Sequence, residues 1–246
     1  MSTFPITLQS FGPHAIQIQW PNTVSETILN DILAFESHLK NTLFVDDEKW
    51  EMVPAYTTLL VINRNSELTF LEWEAQLLEA YHQRPSTKRP KRFLWKLPVC
   101  YDMEFGLDLM EVSQKLQLSP KALIAQHTAQ AYTVYGLGFL PGFMYLGGLP
   151  KILEVPRRTD PRLKVAEGSV GLAGKQTGIY PQESPGGWNI IGRCSVPMFN
   201  PKKKDPCFVS VGDKVQFHAI SRSEYELHKI EGEVGIYKLE KSTIDD

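Results

Sequence analysis

Between Gly136 and Gly192 the chain gathers most of its 17 glycines, in the phrases YGLGFLPGFMYLGGLP, AEGSVGLAGKQTGIYP and ESPGGWNIIGR. Glycine weakens a strand or loop unless the backbone needs positive φ or close approach to another group. So glycine-rich a stretch reads as short strands joined by shaped loops. The runs at 132–135, 169–173, 188–191 and 214–219 are β-rich and of strand length. That pattern predicts a β-barrel or folded sheet whose loops surround a bound group. Two short helices precede it, at 108–117 and 121–130, the second with Ser119 as N-cap and Pro120 at its first position.

The first third alternates differently. AIQIQW, from Ala15 to Trp20, has the period-2 spacing of a half-buried strand. Residues 25–40 place Ile28, Leu29, Ile32, Leu33, Phe35 and Leu39 at helical spacing, with Ser25 as cap. Strands are expected at 52–53 and 57–62 around a turn at Pro54, a helix at 67–82, and a strand at 93–101. The order β-α-β-β-α-β predicts a split βαβ arrangement, helices packed on one antiparallel sheet. HQRPSTKRPKR, from His82 to Arg92, has no apolar side chain to bury and reads as an exposed basic linker. The expected organisation is α+β: a small α/β domain over 1–85, a linker over 86–92, and a barrel domain over 93–246.

Composition excludes several classes. A formal net charge of −2 gives no general basic field for nucleic acid. MSTFPITLQS lacks the basic and apolar regions of a signal peptide. No apolar run reaches the ~18–20 residues that span a bilayer, so a cytoplasmic location is expected. Cys100, Cys194 and Cys207 are too few and too scattered for a disulfide framework or a zinc site, and no metal is expected.

Polar side chains lie among the glycines. PRRTDPR carries Arg157, Arg158 and Arg162; GKQTGIY carries Lys175, Gln176, Thr177 and Tyr180; Ser184, Trp188, Asn189 and Arg193 follow. Arginine holds a carboxylate bidentately, lysine offers a compact charge, and Gln, Thr and Tyr orient an amide. Such a set suits a small anionic or amide substrate. His127, near the end of the Ser119 helix, is the histidine placed to act as a general acid or base. Familiar nucleotide and hydrolase motifs fail on spacing. GLGFLPG is one residue too long for GxGxxG, GKQT is no P-loop, and Ser184 in ESPGG is no GxSxG elbow.

YGLGFLPGFMYLGGLP and PRRTDPRLKVAEGSVGLAGKQTGIYPQESPGGWNIIGR closely resemble the 5-oxoprolinase B-subunit family, also described as allophanate hydrolase subunit 1 and KipI-type sporulation-kinase inhibitor. LPVCYDMEFGLDLMEV, the SPKALIAQH helix start and the VGDKVQF turn are similar as well. One departure is Phe11-Gly12-Pro13-His14, where that family usually has an acidic residue after Phe-Gly. The resemblance implies a cyclophilin-like barrel of carboxyltransferase type. It also implies a hetero-oligomer, with a cyclophilin-like C-type subunit of 5-oxoprolinase and an A-type subunit as partners. The activity implied is ATP-dependent opening of 5-oxo-L-proline to L-glutamate, a hydrolase reaction, with the ATP site not made by this chain alone. No Met-Lys biotin-carrier motif occurs, so no biotin attachment is expected. On this reading His127 and Lys175 are the expected catalytic residues. Arg157, Arg162, Gln176, Thr177, Tyr180, Ser184 and Trp188 are the expected substrate contacts. The alternative is a regulator that binds a sensor histidine kinase.

Overall fold

The computed structural model describes residues 4–46, 48–85 and 91–244. The chain divides into two compact units, Met1–Lys91 and Arg92–Asp246. Residues 86–90 of the expected basic linker lie outside the described residues.

In the small unit, β1 (Thr7–Ser10), β2 (Ala15–Gln19), β3 (Trp50–Ala55) and β4 (Thr58–Asn63) form an antiparallel sheet in the order β1-β2-β4-β3. Alternate strand residues Ile16, Ile18, Leu59 and Val61 pack with the apolar stripes of α1 (Glu26–Thr42) and α2 (Phe70–Gln83). Ser25 caps α1 as its position predicts, its Oγ accepting from the Ile28 N–H at 3.3 Å. Two details differ from the sequence reading. Pro54 does not turn the chain; it lies within β3 opposite Leu59, and the turn falls at Tyr56, with φ of 53°. Proline is tolerated there because β3 is an edge strand, with one side that completes no ladder. The strand expected to follow α2 in this sheet belongs instead to the second unit, and β1, unforeseen, takes the fourth place.

The second unit contains β5 (Arg92–Cys100), α3 (Leu109–Lys115), α4 (Pro120–Thr128), β6 (Ala131–Leu137) and β7 (Met144–Gly147). It continues with β8 (Arg162–Val165), β9 (Ser169–Ala173), β10 (Gln176–Ile179), β11 (Ser184–Gly186) and β12 (Asn189–Cys194). It ends with β13 (Lys214–Ile220), α5 (Arg222–Glu233) and β14 (Glu240–Ile244). Seven strands run β12-β9-β10-β7-β6-β13-β5 and close when β12 pairs back to β5 through Arg193↔Cys100 and Cys194↔Val99. Among the described residues only the β13–β5 pair is parallel. The free half of the β5 edge, residues 92–96, is covered by β14, which leaves no long open edge there. The α+β class, with a small α/β unit followed by a barrel, is as expected. No helix among the described residues is long and apolar enough to cross a membrane.

Strand alternation gives this barrel two packed faces. Val170, Leu172 and Ile179 point inward with Val215 and Phe217. Ala173, Tyr180 and Ile190 point outward and join Phe143, Val165 and Trp188 in a second, smaller core on the barrel flank. Gly178 makes that outer core possible. A side chain there would meet the Met144 carbonyl at 2.9 Å and the Trp188 ring at 3.0 Å, so the indole lies directly on the sheet. The ribbon of β8 and β11, paired through Val165↔Ser184 and Arg162↔Gly186, borders this core.

Candidate functional site

The expected site residues divide between the two faces. His127 and Thr177 are inside. His127 is 0% exposed, stacked on Phe217 at 4.6 Å between ring centres. Its Nδ1 meets the Tyr101 hydroxyl at 2.7 Å and its Nε2 the Thr177 hydroxyl at 2.9 Å. Thr177 donates its only proton to the Gly171 carbonyl at 3.0 Å, so it must accept from Nε2–H. Nδ1 therefore accepts from Tyr101, and the imidazole is neutral. Burial pulls its pKa from an ordinary 6.5 to about 3, and pushes the Tyr101 phenol well above its ordinary 10. A ring with its one lone pair already bonded, and with no exposure, is a strut of the barrel core. In this geometry it has no route to act as the acid or base expected of it.

The other expected residues gather on the outer flank. Lys175 is exposed at the β9–β10 turn, and the Gly174 N–H donates to the Val155 carbonyl at 2.7 Å, two residues before Arg157. Arg157 is exposed and Gln176 half-buried. Tyr180, Trp188 and Ser184 are 2%, 5% and 8% exposed, so they form a floor rather than open contacts. Tyr180 packs edge-on to Phe143 at 5.5 Å, as does Trp188. Burial raises the Tyr180 phenol above its usual range, while the charges of Arg157 and Arg162 pull it the other way. Gly186 lies against the Tyr180 hydroxyl so closely that no side chain fits at that position.

Arg162 is not free. Its Nη1 and Nη2 bond both oxygens of Asp108 at 2.8 and 2.6 Å, and Arg158 Nη1 reaches the same carboxylate at 2.8 Å. Asp108 is 1% exposed. Sequence reasoning misses it, because it stands 50 and 54 residues from its partners in the chain. It also misses Tyr145, packed 4.9 Å from Phe143, and Phe139. Phe139 is 61% exposed with φ of 68°, a strained setting for an aromatic residue, and stands edge-on to Phe143. A separate groove of about 480 Å³ is lined by Phe93, Trp95, Phe208, Lys203, Lys204 and Lys241. None of the expected residues reaches it, and Lys241 covers the Phe93 and Trp95 rings at 4.6 and 5.1 Å.

The flank thus presents cations and an amide over a rigid aromatic floor, an arrangement that can hold a small carboxylate and orient a neighbouring amide. Comparison with known proteins shows what the whole chain is similar to. The family model described as "Carboxyltransferase domain, subdomain C and D" matches residues 6–209. A Bacillus subtilis (strain 168) protein, named as the B-type subunit of 5-oxoprolinase, is 34% identical over 234 residues, 91% of this chain and 97% of that one. A Haemophilus influenzae protein of the same name is 47% identical over 122 residues, 50% of this chain and 57% of its own. The solved structure of TTHA0988 is 33% identical with a TM-score of 0.71, covering 85% of this chain and 40% of that one. The present chain thus spans about two fifths of that longer polypeptide.

Proposed function

We propose that this chain, which belongs to the 5-oxoprolinase B-subunit family of carboxyltransferase-type domains, serves as the B-type component of a multi-subunit 5-oxoprolinase. In that role it contributes to ATP-dependent cleavage of 5-oxo-L-proline to L-glutamate, together with a C-type and an A-type subunit. The observation that carries this reading is the 34% identity across 97% of a protein of that name.

The flank supports the same reading chemically. 5-Oxoproline has one carboxylate and one lactam amide on a small ring. The exposed Arg157 guanidinium suits the carboxylate, and Gln176, on the outward face of β10, suits the amide. Lys175 stands where a cation offsets charge developing on the lactam oxygen. Tyr180, Trp188 and Ser184 hold these groups from below, and His127 and Thr177 keep the barrel wall rigid behind them. The flank is open on its outer side, and a partner subunit closing over it would exclude water.

ATP would supply the driving force by turning the lactam oxygen into a leaving group. The glycine-rich turn nearest to a phosphate loop does not fit that role: after Gly174 and Lys175 the chain enters β10, not a helix whose N-terminus could hold phosphates. Nucleotide binding therefore falls to the partner subunits or to a surface shared with them.

The test is glutamate release from 5-oxoproline and ATP by this chain co-expressed with its partner subunits. Turnover is expected from the full set and not from this chain alone. A full, correctly assembled set without turnover would reject the reading.

A further inference from the structure

We propose that Asp108 is the positioning residue of this site: its buried carboxylate latches residues 156–165 to the barrel flank and thereby sets where Arg157, Arg158 and Arg162 stand. This rests on the reading that the flank meets substrate.

The first sign is what Asp108 forgoes. It occupies the N-cap position of α3, yet its side chain makes no capping bond to that helix. An aspartate bonded elsewhere gives up the stabilisation that a capping side chain lends its helix. Its two oxygens are instead fully used. One accepts from Arg158 Nη1 and Arg162 Nη2 at 2.8 and 2.6 Å. The other accepts from Arg162 Nη1 and from the Ile190 N–H at 2.8 and 2.7 Å. Those four bonds fill the acceptor capacity of a carboxylate.

The second sign is where Asp108 is anchored. Its own N–H donates to the Ile190 carbonyl at 2.7 Å, so backbone and side chain together grip one residue of β12. Two residues earlier, a side chain on Gly106 would meet the Ile191 carbonyl at 2.6 Å, so this turn lies directly against the strand. The carboxylate is therefore fixed to the barrel before any arginine arrives.

The third sign is what the latched segment lacks. Val155 and Val165 are buried, but every residue between them is exposed or only half-buried, and Leu163 is 87% exposed. Val165 seats its far end in the outer core, and between Val155 and Val165 no apolar side chain is buried. Its ties to the barrel include the Arg158 N–H to the Gly187 carbonyl at 2.8 Å, the Asn189 Nδ2 to the Pro156 carbonyl at 2.9 Å, the Arg158 contact to Glu111 at 3.4 Å, the short β8–β11 ribbon and the two guanidiniums on Asp108. Charge-assisted bidentate bonds to a buried acid are the strong members of that set. They hold Arg158 and Arg162 in place and leave Arg157, between Pro156 and Arg158, facing outward.

Asp108→Asn tests this, since it keeps the size and removes the charge. Hydrogen exchange of the full chain, without substrate, should show amides in 156–165 exchanging at least tenfold faster while those in α4 and β13 stay unchanged. In the assembled enzyme, KM for 5-oxoproline should rise about tenfold, with kcat moving less than about threefold. Arg162→Gln, which removes the other side of the latch and leaves the β12 grip intact, should loosen the same segment. Acceleration throughout the barrel in both variants would make Asp108 a residue of the fold alone and overturn the proposal, as would unchanged exchange and KM. An inactive wild-type complex would reject the functional reading, while the exchange result still judges the latch.

Discussion

The inner and outer faces of β10 are built from neighbouring residues and do opposite work. Thr177 points inward, joins the neutral His127–Tyr101 chain and is sealed in the core. Gln176, one residue earlier, points outward beside the exposed Lys175, and Gly178, one residue later, carries the Trp188 ring. Inside, every polar atom of the node is satisfied by another, and burial suppresses charge. On the flank, charge is kept by pairing two arginines with one buried acid, which leaves a third facing out. Polar residues on a barrel strand divide by parity into those that brace the wall and those that can meet a ligand.

The largest expected effect lies on the inner face. His127→Ala removes a stacked ring and leaves the Tyr101 and Thr177 hydroxyls without their partner in the core. Urea unfolding should show a loss of about 3–4 kcal/mol. A loss under about 1 kcal/mol would mean that the interior is not the closed node described.

The next effect is in acid. The folded state holds His127 at about 3, well below its ordinary 6.5, so its contribution to stability is intact above pH 6.5, where neither state is protonated. It is lost as pH falls from 6.5 toward 3, because only the unfolded chain takes up the proton. The slope from this group approaches about 1.4 kcal/mol per pH unit. Unfolding midpoints of His127→Gln, which retains hydrogen bonding without titrating there, should fall less steeply over that window. Parallel slopes would show that His127 is solvated. The smallest effect is expected outside: Arg157→Ala should change unfolding free energy by less than about 0.5 kcal/mol.

Local rules make much of this fold legible. Ser25 and Ser119 mark their helices through capping, and the glycine-rich half announces short strands around shaped loops. The site is legible as a composition but not as a geometry. GKQTGIY reads as one cluster, although period-2 alternation in a strand sends Thr177 to the opposite face from Gln176 and Tyr180. His127 stands near a helix end, which suggests access, whereas its burial depends on the strands that α4 packs against. Asp108 reads locally only as a helix start, since its actual partners are arginines fifty residues on. The strand at 93–101 has no local mark of its sheet, because strand pairing is set by long-range closure, and here that closure is with β12 and β13.

Substrate should meet the flank and not the barrel interior. The direct measurement is KM for 5-oxoproline in the assembled enzyme with Arg157→Ala and, separately, with His127→Gln. A rise of about tenfold for Arg157→Ala, the loss of one charge-assisted contact, with KM within about twofold of wild type for His127→Gln, is the predicted result. The reverse pattern, a raised KM for His127→Gln and none for Arg157→Ala, would contradict it.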